Sequence, residues 1–185
     1  MSENQPRIIV LDRDGVINEE SDEFVKSPAE WIPLAGSLEA IAALTHAGFR
    51  MAIATNQSGV GRGLYTVEML ESIHEKMIAS IHAAGGKIDA VFFCPHLPSD
   101  NCDCRKPKPG LLLEVAKLFG CAPASMQIIG DSIRDLQAAQ SVGAQSILVR
   151  TGYGQKSEKL LPGDSSIQVF DNLADAASAL ISGLR

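Results

Sequence analysis

The sequence predicts an α/β protein with a doubly wound parallel sheet, and three observations carry that prediction. Nearly continuous apolar runs recur along the chain, stretches of helical periodicity lie between them, and glycines stand just past the ends of several of those stretches. Strands buried on both faces read as unbroken apolar runs, and strands alternating with helices pair in parallel.

Taken in order, Arg7–Asp12 (RIIVLD) is the first strand, and Ser37–Ala47 the first helix, with Ser37 as its N-cap candidate and Gly48 beyond its end. Arg50–Asn56 (RMAIATN) is the second strand, and Thr66–Ala84 is a helix opened by Thr66 and stopped by Gly85. Ile88–Cys94 is the third strand, followed by a helix over Pro109–Phe119 that Gly120 ends. Met126–Asp131 is the fourth strand, Ser132–Val142 a helix closed by Gly143, and Ser146–Arg150 the fifth strand. Ile167–Phe170 makes a short sixth strand, and a last helix lies near Leu173–Leu184. No repeat, low-complexity tract or linker interrupts the series, and 185 residues suit one domain with a substantial core. A single domain over residues 1–185 is therefore expected.

Hydrophobic residues make up 45% and charged residues 21%, ordinary values for a globular chain. A formal net charge of −6 gives no electrostatic footprint for a polyanion, so no nucleic-acid partner is expected. No apolar run reaches the roughly 18 residues of a membrane span, and the opening MSENQPRIIV lacks the basic-then-apolar pattern of a leader. A cytoplasmic protein without membrane contact is expected.

In a doubly wound sheet ligands bind beyond the carboxyl ends of the strands, so the polar residues there are the ones that matter. Asp12 and Asp14, two apart in extended chain, project to the same side. Two adjacent carboxylates repel unless a cation neutralises them, and magnesium takes oxygen ligands of this kind. A solvated turn remains the plain alternative for a bare Asp-x-Asp. Thr55–Gly59 (TNQSG) offers a hydroxyl, two amides and backbone N–H groups to phosphate oxygens, but the same residues make ordinary turns. Asp131 and Asp135 in GDSIRD are site candidates and equally candidates for helix capping.

Three of the four cysteines fall within the eleven residues Cys94–Cys104. A reducing compartment disfavours structural disulfides. Cys94, His96, Cys102 and Cys104 supply three thiolates and one imidazole, a closed tetrahedral set for a structural Zn²⁺, whereas a redox pair would favour C-x-x-C. Cys121 stands alone. A zinc-binding loop of this kind would order a polar segment and aim the adjoining Arg105 and Lys106, with Pro107 and Pro109 stiffening the exit into the next helix.

The segments DRDGVIN, TNQSG, RKPKPG and GDSIRDLQAA follow one another at successive strand ends. In that order they resemble the four motifs of the haloacid dehalogenase (HAD) superfamily of phosphohydrolases, over about residues 7–152. The resemblance implies a Rossmann-like fold, with Asp12 as the nucleophile that forms an aspartyl phosphate and Asp14 as general acid and then base. It further implies that Thr55 and Lys106 steady the transferring phosphoryl group, and that Asp12, Asp131 and the Asp14 backbone carbonyl hold Mg²⁺. Many relatives carry a cap domain between motifs, but 40 residues between Asp14 and Thr55 and 50 between Thr55 and Lys106 leave room for none.

Substrate choice then falls to the loops Asn18–Pro28 and Gln57–Gly63 and to the zinc loop. The capless form, the zinc signature and DRDGVIN…TNQSGVGRG…CRKPKPG together resemble the heptose-bisphosphate phosphatases of lipopolysaccharide-precursor synthesis. By that resemblance Arg13, Asn18, Glu20, Ser21, Asp22, Asn56, Gln57, Ser58 and Arg105 contact a small-molecule sugar bisphosphate, and the protein is expected to act as a monomer. Histidinol-phosphate phosphatases share the zinc loop and the four motifs, and remain open as the alternative. A phosphoacceptor signalling domain also sets carboxylates, Thr and Lys on a parallel sheet, but needs an acceptor aspartate at the third strand end, where AVFFCPH offers none.

Overall fold

The six apolar runs become β1 (Ile8–Leu11), β2 (Arg50–Asn56), β3 (Ala90–Cys94), β4 (Gln127–Gly130), β5 (Gln145–Val149) and β6 (Gln168–Phe170). They belong to a computed structural model that describes residues 7–163 and 165–184. Residues 1–6, part of the stretch that lacks a leader pattern, lie outside them. The strands form one parallel sheet in the order β3-β2-β1-β4-β5-β6. The chain therefore starts at the centre, builds outward on one side and returns to build on the other, so the strand order reverses between β1 and β4. That reversal opens a crevice at the carboxyl ends of the central strands.

The helices are α1 (Ser37–His46), α2 (Ser58–Gly61), α3 (Val67–Ala83), α4 (Gly110–Phe119), α5 (Ile133–Ser141), α6 (Gly154–Glu158) and α7 (Leu173–Ser182). The five expected helices are present, whereas α2 and α6 are single turns too short for a periodic pattern to announce them. Thr66 caps α3, its hydroxyl accepting from Met69 N–H at 3.2 Å. Ser37 does not cap α1: that position belongs to Gly36, whose φ of 77° a side chain would resist. The Ser37 hydroxyl instead donates to the Ile17 carbonyl at 2.6 Å, pinning the start of α1 to the loop that follows β1.

Successive residues of β1 serve opposite faces. Ile9 and Leu11 join Met51, Ile53, Ile129 and Ile147 under α1, α3 and α7, while Ile8 and Val10 join Ala52, Ala54 and Ile128 under α4 and α5. Burying each such aliphatic side chain contributes roughly 1.5–3 kcal/mol, so the central strands hold the tips that carry the site on a rigid base. Among the described residues the chain between Asp14 and Thr55 forms only a 3-10 turn at Pro28–Glu30, α1 and β2, and no cap layer intervenes. No helix of the described residues is long and apolar enough to cross a membrane.

Candidate active site

Asp12 is still tied to the sheet, its N–H donating to the Ile129 carbonyl at 2.9 Å. The chain then turns sharply at Gly15, φ 76°, where a Cβ would stand 2.1 Å from the Asp131 carboxylate. The N–H groups of Ile17 and Asn18 close the turn onto the Arg13 carbonyl at 2.8 and 3.2 Å. Inside it, the Asp14 carboxylate accepts from the Arg13 guanidinium (2.8 and 2.9 Å), Asn18 Nδ2 (2.8 Å) and Gln57 Nε2 (2.8 Å). Burial would raise the Asp14 pKa, but the Arg13 charge and these hydrogen bonds outweigh it and hold the carboxyl below its usual range.

Arg13 is 1% exposed and its remaining amino group lies 3.3 Å from His74 Nε2 on α3. Burial first and the neighbouring guanidinium second drive His74 down to about 3, so its imidazole is neutral and free to accept. Arg13 and Asn18, expected as substrate contacts, are thus placed elsewhere: both are fully buried, neither lines the cavity, and both grip Asp14.

Lys106, 3% exposed, projects its ammonium between Asp12 Oδ1 (3.0 Å) and Asp135 Oδ1 (2.5 Å), and donates to the Ala54 carbonyl (2.7 Å). Burial works against that charge, but Asp12 and Asp135 more than compensate and keep the lysine above its usual pKa. Asp135 is the N3 residue of α5, where its Oδ2 accepts from Ser132 N–H (3.1 Å) and hydroxyl (2.6 Å), so one carboxylate both caps the helix and holds the lysine. Asp131 accepts from Tyr153 N–H at 2.8 Å.

Carboxylate oxygens of Asp12, Asp131 and Asp135 lie within 4.8 Å of one another. One ammonium cannot balance two buried carboxylates and a third that is only partly exposed. Desolvation and mutual repulsion accordingly raise Asp12 to about 6, against the pull of Lys106, and Asp131 to about 8. An all-oxygen, charge-deficient cluster suits a hard dication. Since Asp135 is already engaged, Asp12 and Asp131 are the carboxylates left for it, as the motif resemblance implies; the Asp14 side chain lies outside this cluster.

β2 delivers the next group. Thr55 is 1% exposed, and its hydroxyl accepts from Gln57 Nε2 at 2.9 Å. Tyr65 O–H donates to Gln57 Oε1 at 2.9 Å, which fixes the amide so that its nitrogen faces Asp14 and Thr55. Asn56 holds the lysine's backbone: its Nδ2 donates to the Lys106 carbonyl and its Oδ1 accepts from Lys106 N–H, both at 3.0 Å.

On the far side of Lys106 the loop converges its cysteines. Sulfur separations are 3.1 Å for Cys94–Cys104, 3.5 Å for Cys102–Cys104 and 3.6 Å for Cys94–Cys102. His96 Nδ1 lies 3.6 Å from Cys94 Sγ and 3.3 Å from Cys104 Sγ. These are close to the edges of a tetrahedron about a metal with thiolate bonds of about 2.3 Å, and far beyond a disulfide's length of about 2.05 Å. The four side chains can hold one metal ion. Cys121 packs apart from them, against the core beneath α4.

One cavity of about 250 Å³ is lined by Asp12, Asp14, Thr55, Lys106 and Asp131 and, of the expected contacts, by Glu20, Ser21, Asp22, Asn56, Gln57, Ser58 and Arg105, and the cysteine cluster lies outside this lining. Burial, then the nearby charges of Asp14 and Asp12, raises Glu20 to about 7. Phe24, Val25 and Arg62 also line it, from within the two loops expected to choose the substrate, as do Ser132, Arg134 and Tyr153, which were not expected. Arg62 and Arg134 stand beside TNQSG and inside GDSIRD, and Tyr153 follows the fifth strand, so attention to strand ends could have found all three. His74, on a helix, carries no such signal.

Family models match the chain twice: an HAD-hydrolase-like model over residues 103–176 and a polynucleotide kinase 3 phosphatase model over residues 7–133. The D-glycero-beta-D-manno-heptose-1,7-bisphosphate 7-phosphatase of Neisseria meningitidis serogroup A is 49% identical over 173 residues, covering 91% of each chain. The enzyme of that name from Pseudomonas aeruginosa is 46% identical, covering 94% of this chain and 97% of its own. Among solved structures, the D,D-heptose 1,7-bisphosphate phosphatase of B. bronchiseptica, complexed with magnesium and phosphate, superposes with a TM-score of 0.92 at 46% identity, over 96% of this chain and 99% of that one.

Proposed function

The chain belongs to the HAD-like hydrolases, in the family of the D-glycero-beta-D-manno-heptose-1,7-bisphosphate 7-phosphatases, and on that premise we propose how it works and on what. It releases the 7-phosphate of heptose 1,7-bisphosphate, in the cytoplasm, as a monomer of one domain, on the route to ADP-heptose and lipopolysaccharide core. Asp12 and Asp131, with the Asp14 carbonyl, would hold Mg²⁺, which when bound neutralises the carboxylate cluster and the phosphoryl oxygens. The cysteines and His96 would hold a structural Zn²⁺.

Asp12 attacks phosphorus, forming an aspartyl phosphate as the bond to the sugar oxygen breaks. Asp14 gives its proton to that departing oxygen. Its clamp favours the carboxylate, so the proton is taken up against Arg13 when the negative phosphoryl group raises the Asp14 pKa. Asp14 then takes a proton from the water that cleaves the aspartyl phosphate, the step for which its resting form is suited. Lys106 and Thr55 face the charge that spreads over the phosphoryl oxygens in a loose transition state.

The observation that carries the substrate assignment is that Arg62, Arg105 and Arg134 share this cavity with the nucleophile. Three guanidinium groups invite a second phosphate, which histidinol phosphate lacks. The test is a phosphate-release panel of both anomers of heptose 1,7-bisphosphate, histidinol phosphate and simple sugar monophosphates. We expect the bisphosphate to be preferred by about 100-fold or more in kcat/KM, the worth of a well-placed charged contact or two. A preference for histidinol phosphate would overturn the assignment.

A further inference from the structure

Residues Glu20–Phe24 form the tip of the Asn18–Pro28 loop, which lends Glu20, Ser21, Asp22, Phe24 and Val25 to the cavity lining. The tip turns back on itself: Phe24 N–H donates to the Ser21 carbonyl (3.1 Å) and Glu23 N–H to the Ser21 hydroxyl (3.2 Å). Phe24 takes a φ of 63°, uncommon for a bulky residue, with the Arg62 guanidinium 5.8 Å from its ring centroid. Among the described residues one hydrogen bond reaches this tip from outside its own loop. It is donated by Tyr153 O–H to Asp22 Oδ1 at 2.6 Å.

Tyr153 belongs to the turn Thr151–Gly154 that follows β5, and this turn is tied to the metal-type cluster at three further points. Thr151 O–H donates to the Gly15 carbonyl (2.6 Å), Tyr153 N–H to the Asp131 carboxylate (2.8 Å), and Ser157 O–H, one turn on, to the Asp131 carbonyl (2.9 Å). Gly152 is pressed so close that a Cβ would stand 2.1 Å from Asp131 Oδ2 and 2.6 Å from the Gly15 Cα. A turn already bonded to Asp131 thus carries a phenol that bonds to the Asn18–Pro28 loop, and both contribute to the cavity lining.

We propose that Tyr153 is a positioning residue that latches the Asn18–Pro28 loop, through Asp22, in register with Asp131, so that the sugar-facing wall and the reacting end of the cavity are set by the same turn. The inference rests on the function assigned above for its substrate, but not for its structural part. Losing the latch frees the wall and leaves Asp131 its N–H, so binding of the far part of the substrate weakens while the chemical step is kept.

Two measurements on the full chain decide this. In substrate-free protein, Tyr153→Phe should speed amide exchange at Ser21–Val25 by about fivefold or more and leave the strand amides unchanged; unaltered loop exchange would overturn the latch whatever the substrate is. On heptose 1,7-bisphosphate, Tyr153→Phe should raise KM by about fivefold with kcat within about twofold, as for one lost hydrogen bond to a charged group, and adding Tyr153→Phe to Asp22→Ala, which already lacks the acceptor, should change KM no further. Effects that multiply, or a fall in kcat at constant KM, would also overturn it. Absence of turnover on this substrate in the unaltered protein would count against the function assignment alone, since the exchange comparison still stands.

Discussion

A partly buried carboxylate that receives hydrogen bonds from three side chains, as Asp14 does from Arg13, Asn18 and Gln57, has its charge state decided mainly by those donors. Removing the guanidinium in Arg13→Met leaves that charge buried without its main partner. Stability should fall by about 3–5 kcal/mol in urea titration, and the alkaline limb of kcat/KM should move to higher pH because Asp14, the general acid of the first step, is no longer held below its usual range. Asp12→Asn should abolish phosphate release, by at least about 10⁴-fold, while circular dichroism and melting stay native-like. Retained turnover would remove Asp12 as nucleophile. Asp12, Asp14, Lys106 and Asp131 were legible because motif order and strand ends single them out. The partners of Asp14 were not: Arg13, Asn18 and Gln57 read as substrate contacts, and nothing local shows that Arg13 turns inward toward His74, 61 positions on.

Among the elements, the strands were legible because each is nearly all apolar and buried on both faces, and α3 because its 17 residues repeat a helical pattern. What was not legible was anything shorter than that period, such as α2 and α6, or set by distant backbone, such as Gly36 taking the cap position from Ser37. The turn after β5 belongs with these, since nothing local marks Gly152 as a contact of Asp131. Gly152→Ala should therefore strike both the Asp131 carboxylate and Gly15, and we expect loss of magnesium-dependent activity by about 100-fold or more together with a lower melting temperature. For the loop Cys94–Cys104, Cys102→Ser should cut bound zinc, measured by elemental analysis, and make the segment between Cys94 and Lys106 the first site of proteolysis. Unchanged metal stoichiometry would exclude the four-ligand site.

For the whole molecule, the carboxylate cluster ties stability to pH and to the cation. Folding raises Asp12 from 3.8 to about 6 and Asp131 from 3.8 to about 8, so the folded form holds these protons more tightly than the unfolded chain. Their contribution is complete below about pH 4 and is lost as pH rises through those values. Chelated protein should therefore lose melting temperature between about pH 4 and pH 8, by about 5–10 °C for a few kcal/mol, and millimolar magnesium should restore it most at the alkaline end. A melting temperature flat across that range without the cation would refute the account. The strand order has its own consequence during synthesis. β1 emerges first yet lies mid-sheet, with β2 on one side and β4, over a hundred positions later in the chain, on the other. Until the ribosome delivers that late strand, Ile9, Val10 and Leu11 present an open apolar seam, so nascent chains halted before Gln127 are expected to cling to chaperones or to one another.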